Sequence, residues 1–236
     1  MGQHAQESTT LIRKLRDDLL LFVYMFDVAK QRIAFNEEDI ESLDLKNSAD
    51  FAASFANIRF NPNLTDEEKA VEAWLSNSVM QLPKNIKMKL SFENYMKVLK
   101  QNANINKILT TYHLESYWET LRIKLNNYVH NNGRQFTSHN LITPEDPNLE
   151  IYLNNVNIRT SYITTFFLVL ITMVDATLLS STDMADYLDS GIDPPEDCQY
   201  GIASFIQEYV DNKVAKLHPE LKEYLHNNNS YGMKIL

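Results

Sequence analysis

The sequence predicts an all-α fold, a single-domain helical bundle over residues 1–236. Three observations predict it. Only 5 Gly and 7 Pro punctuate the 236 residues, and a doubly wound sheet needs far more tight turns than that. Apolar residues recur at helical spacing over long segments. Hydroxyl–acid pairs set three positions apart, Thr65 with Glu68 and Ser116 with Glu119, mark helix starts. A hydrophobic content of 44% and a charged content of 22% suit a sizeable core. The 12 Tyr and 11 Phe point to aromatic-rich helix packing.

Taken in order, residues 1–7 are expected to fray. Leu11 to about Ile33 reads as a long helix introduced by Ser8, Thr9 and Thr10, with Leu11, Leu15, Leu19, Phe22, Val23 and Phe26 as its apolar repeat. Asp17, Asp18 and Asp27 on it read as a solvated face; no second acidic motif completes a metal site. Residues 36 to 63 form a less regular lobe. Thr65 opens a helix to about Gln81, and Pro83 closes it. Lys84, Lys87 and Lys89 make a small basic patch that reads as a surface loop. Ser91 caps a helix to about Leu99, and Asn104 to Thr111 is another. The helix of residues 116–133 follows. Pro144-Glu-Asp-Pro147 marks a break and a sub-boundary near 144–148.

Leu149 to about Leu179 reads as one long helix or two joined ones. Its middle, Tyr162 to Val174, is apolar nearly all round, which predicts the central helix of the bundle. The apolar run Ile163 to Val174 is too short to span a bilayer, so no membrane partner is expected. Arg159 near its start calls for a partner or exposure. The stretch 183–197 crowds Asp183, Asp186, Asp189, Asp193, Glu196 and Asp197 around Gly191 and Pro194-Pro195. Its order does not match a calcium loop. It reads as an ordered acidic surface facing a partner, or as a loop masking a basic groove. Residues 200 to 217 make a last amphipathic helix, and Pro219 opens a short one to about His226. The tail ends apolar and suits docking on a neighbour.

Composition limits the function classes. A net charge of −9 argues against a general nucleic-acid binder, though not against a local basic strip. The single cysteine, Cys198, excludes an internal disulfide and suits a reducing, cytoplasmic compartment. Its acidic neighbours are the wrong setting for a nucleophile. Residues 1–10 are polar, so no signal peptide is expected. No phosphate-cradling Gly loop, zinc spacing or internal repeat occurs, so neither cofactor nor metal is expected.

The helix of residues 116–133 organises the rest. Ser116 and Glu119 read as its capping box and Gly133 as its left-handed C-cap. With Arg122 set to zero and ~100° per residue, Trp118, Leu121, Leu125, Tyr128 and Val129 fall in an arc of roughly 240–340°. Glu119, Arg122, Asn126 and His130 fall in a neighbouring arc of roughly 0–80°. One edge is core, and beside it runs a polar strip ending in a histidine. The strip is either a solvated flank or a site acting on RNA. Arg carries a planar, permanently charged fork suited to phosphate. His moves protons near neutral pH. Asn donates to phosphate or orients the ring. Together they suffice for metal-free cleavage by the substrate's own 2′-hydroxyl.

Arg122 followed by Leu-Asn-Asn-Tyr-Val-His130-Asn-Asn-Gly133 resembles the motif helix of the HEPN superfamily, small all-helical proteins that include RNases of toxin–antitoxin and phage-defence systems. The family pattern is an Arg, a polar residue, then a His after four to six intervening residues. Here seven residues intervene and Ile123 follows Arg122. That spacing puts His130 ~80° from Arg122 on the helix. The resemblance implies a HEPN-like bundle and a homodimer with two strips facing each other across an RNA-binding cleft. It implies His130 moving the proton, Arg122 on phosphate, Asn126 orienting, and Arg134 and Asn127 as further RNA contacts. A metal-independent endoribonuclease, with an antitoxin protein as partner, is one expectation. A non-enzymatic interaction protein or sensor, binding a partner protein through its acidic 183–197 loop, is the other.

Overall fold

The computed structural model describes residues 2–32, 63–129, 145–181, 187, 190–193, 201–230 and 232–236, with side chains from Ser8 onward and, in the helix ending at Val129, only as far as Asn126. The protein is all-α: among the described residues the only β pairings are two isolated bridges, Ser180 with Ile202 and Gly201 with Lys234. The chain packs as two compact units, one of residues 1–24 and 96–236, the other of residues 25–95. All of the expected irregular lobe at 36–63 but Asn63, and most of the 183–197 loop, lie outside the described residues.

Helix α1 runs from Gly2 to Lys30, so the start expected to fray is helical. Its buried side chains are Thr9, Ile12, Arg16, Leu20, Val23, Tyr24, Asp27 and Val28. The apolar repeat through Leu11, Leu15 and Leu19 is not the buried face. Leu11 is exposed, and the buried stripe lies one residue over, with Arg16 only 3% and Asp27 only 4% exposed. Each of these charges has a hydrogen-bonding partner. Arg16 binds Asp17 through Nε and Nη2 at 2.8 and 2.5 Å. Gln31 donates to Asp27 at 2.8 Å. Burial pushes the Asp27 carboxyl above its usual range, against the pull of Gln31 and Lys30.

In the unit of residues 25–95, α2 spans Asp66–Leu75. Its start is the capping box read from Thr65 and Glu68: the Glu68 N–H donates to Thr65 at 3.2 Å, and the Thr65 N–H donates to Glu68 at 2.7 Å. It stops short of Gln81. Asn77 takes a left-handed φ of 55°, the Ser78 N–H reaches Ala73 O at 2.7 Å, and the Asn77 N–H reaches Trp74 O at 3.2 Å. Those two bonds form a Schellman ending, with Asn doing what Gly usually does. The short α3, Lys84–Lys87, follows. The basic patch here is largely engaged. Lys89 pairs with Glu67 at 2.6 Å, and Lys87 donates to Met80 O at 2.8 Å.

Helix α4 spans Phe92–Leu99, with Ser91 Oγ accepting from the Asn94 N–H at 3.3 Å. In the larger unit, α5 spans Ala103–Thr111, capped by Asn102. Next come α6, Leu114–Val129, and α7, Leu149–Val174. From Ile163 on, nearly every α7 residue is buried, as its all-round apolarity predicts. By length and composition alone α7 could cross a membrane; here its apolar half is packed inside the unit. A 3₁₀ turn at Ala176–Leu179 ends the segment, capped by Asp175.

Helix α8, Ser204–Tyr209, runs on through a π-helical turn at Val210–Val214 into α9, Ala215–Leu217. Then α10 spans Pro219–Asn228. Two residues of the apolar tail, Met233 and Ile235, are buried within its own unit, while Leu236 is exposed. Asn229 exchanges two bonds with Met233, at 2.9 and 2.7 Å, and His226 Nδ1 accepts from the Ile235 N–H at 3.1 Å.

Candidate functional site

Trp118, Leu121 and Leu125 of the expected α6 core stripe are buried, while the side chains of Tyr128 and Val129 lie outside the described residues. Leu114 is buried as well. Trp118 stacks on Phe166 of α7, with ring centroids 4.1 Å apart and planes 16° from parallel. The helix start differs from the expectation. His113 adopts a left-handed φ of 55° after α5, and α6 begins at once. Ser116 is therefore already inside the helix, and its hydroxyl donates back to His113 O at 2.9 Å. Glu119 is left without a capping role and turns to Arg122.

On the polar strip, Arg122 gives Nε and Nη2 to the two carboxylate oxygens of Glu119, at 2.8 and 2.5 Å. This is the fork-to-carboxylate geometry that Arg favours. The hydrogen bond from Arg122 holds the Glu119 carboxyl below its usual range, against partial burial, with the charges of Arg122 and the buried Arg16 adding to the effect. Two guanidinium groups thus share the neighbourhood of one carboxylate. Farther along, Asn126 Oδ1 is buried and, among the described residues, has no hydrogen-bond partner. An acceptor left unsatisfied in that way is costly. His130 and Arg134, and the side chain of Asn127, lie outside the described residues, as does the expected cap Gly133.

The opposite side of α6 was not singled out in the sequence. Tyr117, Thr120 and Lys124 project roughly 160–220° from Arg122. They wall a cleft of about 640 Å³ together with α7 and the 212–218 segment. Lys124, Arg159, Lys213, Lys216 and His218 line it, and among the described residues no Asp or Glu does. Lys124 and Lys213 make no ion pair among the described residues. Among the described residues Lys216 donates only to the amide oxygen of Asn212, at 3.3 Å. The acids beside the cleft in sequence are paired elsewhere. Glu115 binds Lys100, and Asp211 accepts from Lys222 at 2.6 Å and Gln207 at 3.1 Å. The Lys222 bond, the larger effect, keeps the Asp211 carboxyl below its usual range.

Hydroxyl bonds fix the cleft floor. Tyr162 donates to Leu114 O at 2.7 Å, tying α7 to the start of α6. Burial, with the nearby Tyr117, raises the Tyr162 hydroxyl well above its usual range, so it remains a donor. Tyr209 donates to Ser161 O at 3.1 Å, tying α8 to α7. The π-turn lies along this wall and carries Asn212 and Lys213 on its outer side, while Val210 and Val214 are buried. Sequence reasoning noted Arg159 alone of these cations. The cue for the others is weak: only Lys213 and Lys216 sit at helical i,i+3 spacing, and only the tertiary fold brings Lys124 and His218 to them.

Among the described residues, no group of three His, Cys, Asp or Glu is placed to hold a metal ion. Asp17 and Asp18 are engaged by Arg16 and Lys14, each at 2.8 Å or less. No known protein family, curated protein or solved structure matches this chain.

Proposed function

We propose that the chain is a HEPN-like RNA-handling protein of a toxin–antitoxin or phage-defence system, acting without metal along the polar strip of α6 in a cytoplasmic homodimer. The observation that supports this most is the strip itself. Arg122 and Asn126, whose buried Oδ1 has no hydrogen-bond partner among the described residues, lie one turn apart on α6, and the buried Arg16 of α1 adds its charge beside Glu119. Four residues beyond Asn126 in the sequence is His130. In this reading Asn126 Oδ1 accepts an imidazole N–H and selects the tautomer. His130 then moves the 2′-hydroxyl proton, and Arg122, Asn127 and Arg134 contact phosphate.

A second reading has a specific observation behind it. Glu119 already engages two nitrogens of Arg122, which suits an interaction protein without catalysis, one that binds a partner protein through its acidic 183–197 loop. Expression of wild type and His130→Ala, with total RNA inspected in each, separates the two. RNA fragments and growth arrest lost in the variant establish the nuclease. Identical RNA from both removes the cleavage reading and leaves the interaction protein.

A further inference from the structure

We propose that the cleft on the opposite face of α6 binds a nucleotide unit, with phosphate against Lys124, Lys213 and Lys216 and the base against Tyr117. Four observations converge. The chain carries a net charge of −9, yet the cleft gathers Lys124, Lys213 and Lys216, none of which makes an ion pair among the described residues, and no described carboxylate lines it. Like charges gathered without counter-ions repel one another, and an anion relieves that repulsion. The flanking acids Glu115 and Asp211 are bound elsewhere, to Lys100 and Lys222, so the anion does not compete with an internal carboxylate.

The second observation is size. About 640 Å³ is far more than a bare phosphate fills and lies within the usual range for small-molecule sites. Third, the wall is mixed. The largely exposed Tyr117 ring, 6.0 Å from Tyr162, offers a face for a base. The side-chain amides of Asn155, Asn157 and Asn212 offer donors and acceptors for base or sugar edges. Cations along a groove with an aromatic platform are the combination that holds single nucleotides of a strand. Fourth, the wall bearing Asn212 and Lys213 is a π-helical turn. Such turns are rare and often mark sites, because the widened turn re-aims side chains.

The same chemistry is offered by a free nucleotide and by the phosphorylated end of an RNA strand. The test therefore titrates the full chain with ADP, with a 5′-phosphorylated tetraribonucleotide and with inorganic phosphate. It uses wild type, the Lys213→Glu/Lys216→Glu double variant and Tyr117→Ala. All these positions are exposed, and thermal melts check that each variant folds. The expected result is saturable binding of ADP or the tetranucleotide. Binding is weakened by about tenfold or more on charge reversal and by about fivefold or more on loss of the stacking ring. Binding of ADP alone assigns the free nucleotide; binding of the tetranucleotide as well assigns a strand end. Either supports the proposal. It is overturned by no saturable binding of either probe, by equal binding in the double variant, or by phosphate competing as well as ADP. The proposal stands apart from the strip: His130→Ala is expected to leave ADP binding unchanged, so failure at one face is not failure at the other.

Discussion

The two faces of α6 carry cations two residues apart in sequence and treat them in opposite ways. Arg122 lies on a strip where Glu119, one turn earlier, closes a two-bonded fork on it. Lys124 opens into a cleft where it meets other cations and, among the described residues, no acid. The first arrangement neutralises a charge within a single helix. The second brings Lys124 of one segment to Lys213 and Lys216 of another, with no ion pair for any of the three among the described residues. A positive residue in a motif is therefore not the same as a positive charge available to a ligand. Availability depends on which carboxylates the fold brings near, and the helix alone decides that only for neighbours at three or four positions.

Removing what both faces share breaks the comparison most severely. Trp118 stacks on Phe166 and anchors α6 to α7, so Trp118→Ala is expected to cost about 3–5 kcal/mol. Denaturant unfolding measures it. A loss under about 1 kcal/mol would mean that α6 and α7 do not share a packed core, and the cleft between them would have no fixed wall.

A smaller change sharpens the comparison at the cleft alone. Tyr162→Phe deletes the bond to Leu114 O while keeping the ring against Phe166. It is expected to cost about 0.5–1.5 kcal/mol, and to weaken ADP binding through a looser floor without affecting the strip. An unchanged melt with unchanged ADP binding would show that this bond does not organise the cleft.

The sequence made the strip legible and left the cleft out of sight, for a physical reason. Arg122, Asn126 and the core residues Trp118, Leu121 and Leu125 follow from the 3.6-residue repeat of one helix. Local chemistry likewise identifies the cap at Thr65 and the all-round apolar helix through Ile163 to Val174. The cleft depends on Lys124 meeting Lys213 and Lys216, which no local pattern encodes. The same limit explains α1. Its apolar residues outnumber one face, so periodicity alone favours Leu11 and Leu15. The buried stripe instead contains Arg16 and Asp27, each bearable inside because of a bonding partner. The capping box expected at Ser116 fails because a left-handed His113 starts the helix earlier. Sequence weighs a cap by residue type, whereas the backbone turn before it decides where the cap is needed.

The gentlest test concerns the fork itself. Glu119 has its carboxyl held below the ordinary value of 4.5, chiefly by the hydrogen bond from Arg122. An acid whose pKa is lower folded than unfolded gives stability that is present above the unfolded value and lost as pH falls through the folded one. The wild type should therefore exceed Glu119→Gln in stability near neutral pH, and the gap should close below about pH 4. Both side chains are part-exposed, at 30% for Arg122 and 45% for Glu119, so solvent screening keeps the gap under about 0.5 kcal/mol. The same variant takes the carboxylate away from Arg122. If the strip contacts RNA, Glu119→Gln binds RNA more tightly than wild type, with a steeper loss of affinity as salt is raised, because one more cation faces phosphate. ADP binding at the cleft stays as it was. A stability gap that does not change with pH would mean that the pair contributes nothing in solution. Arg122 would then be as available as Lys124, and the contrast between the two faces would fall.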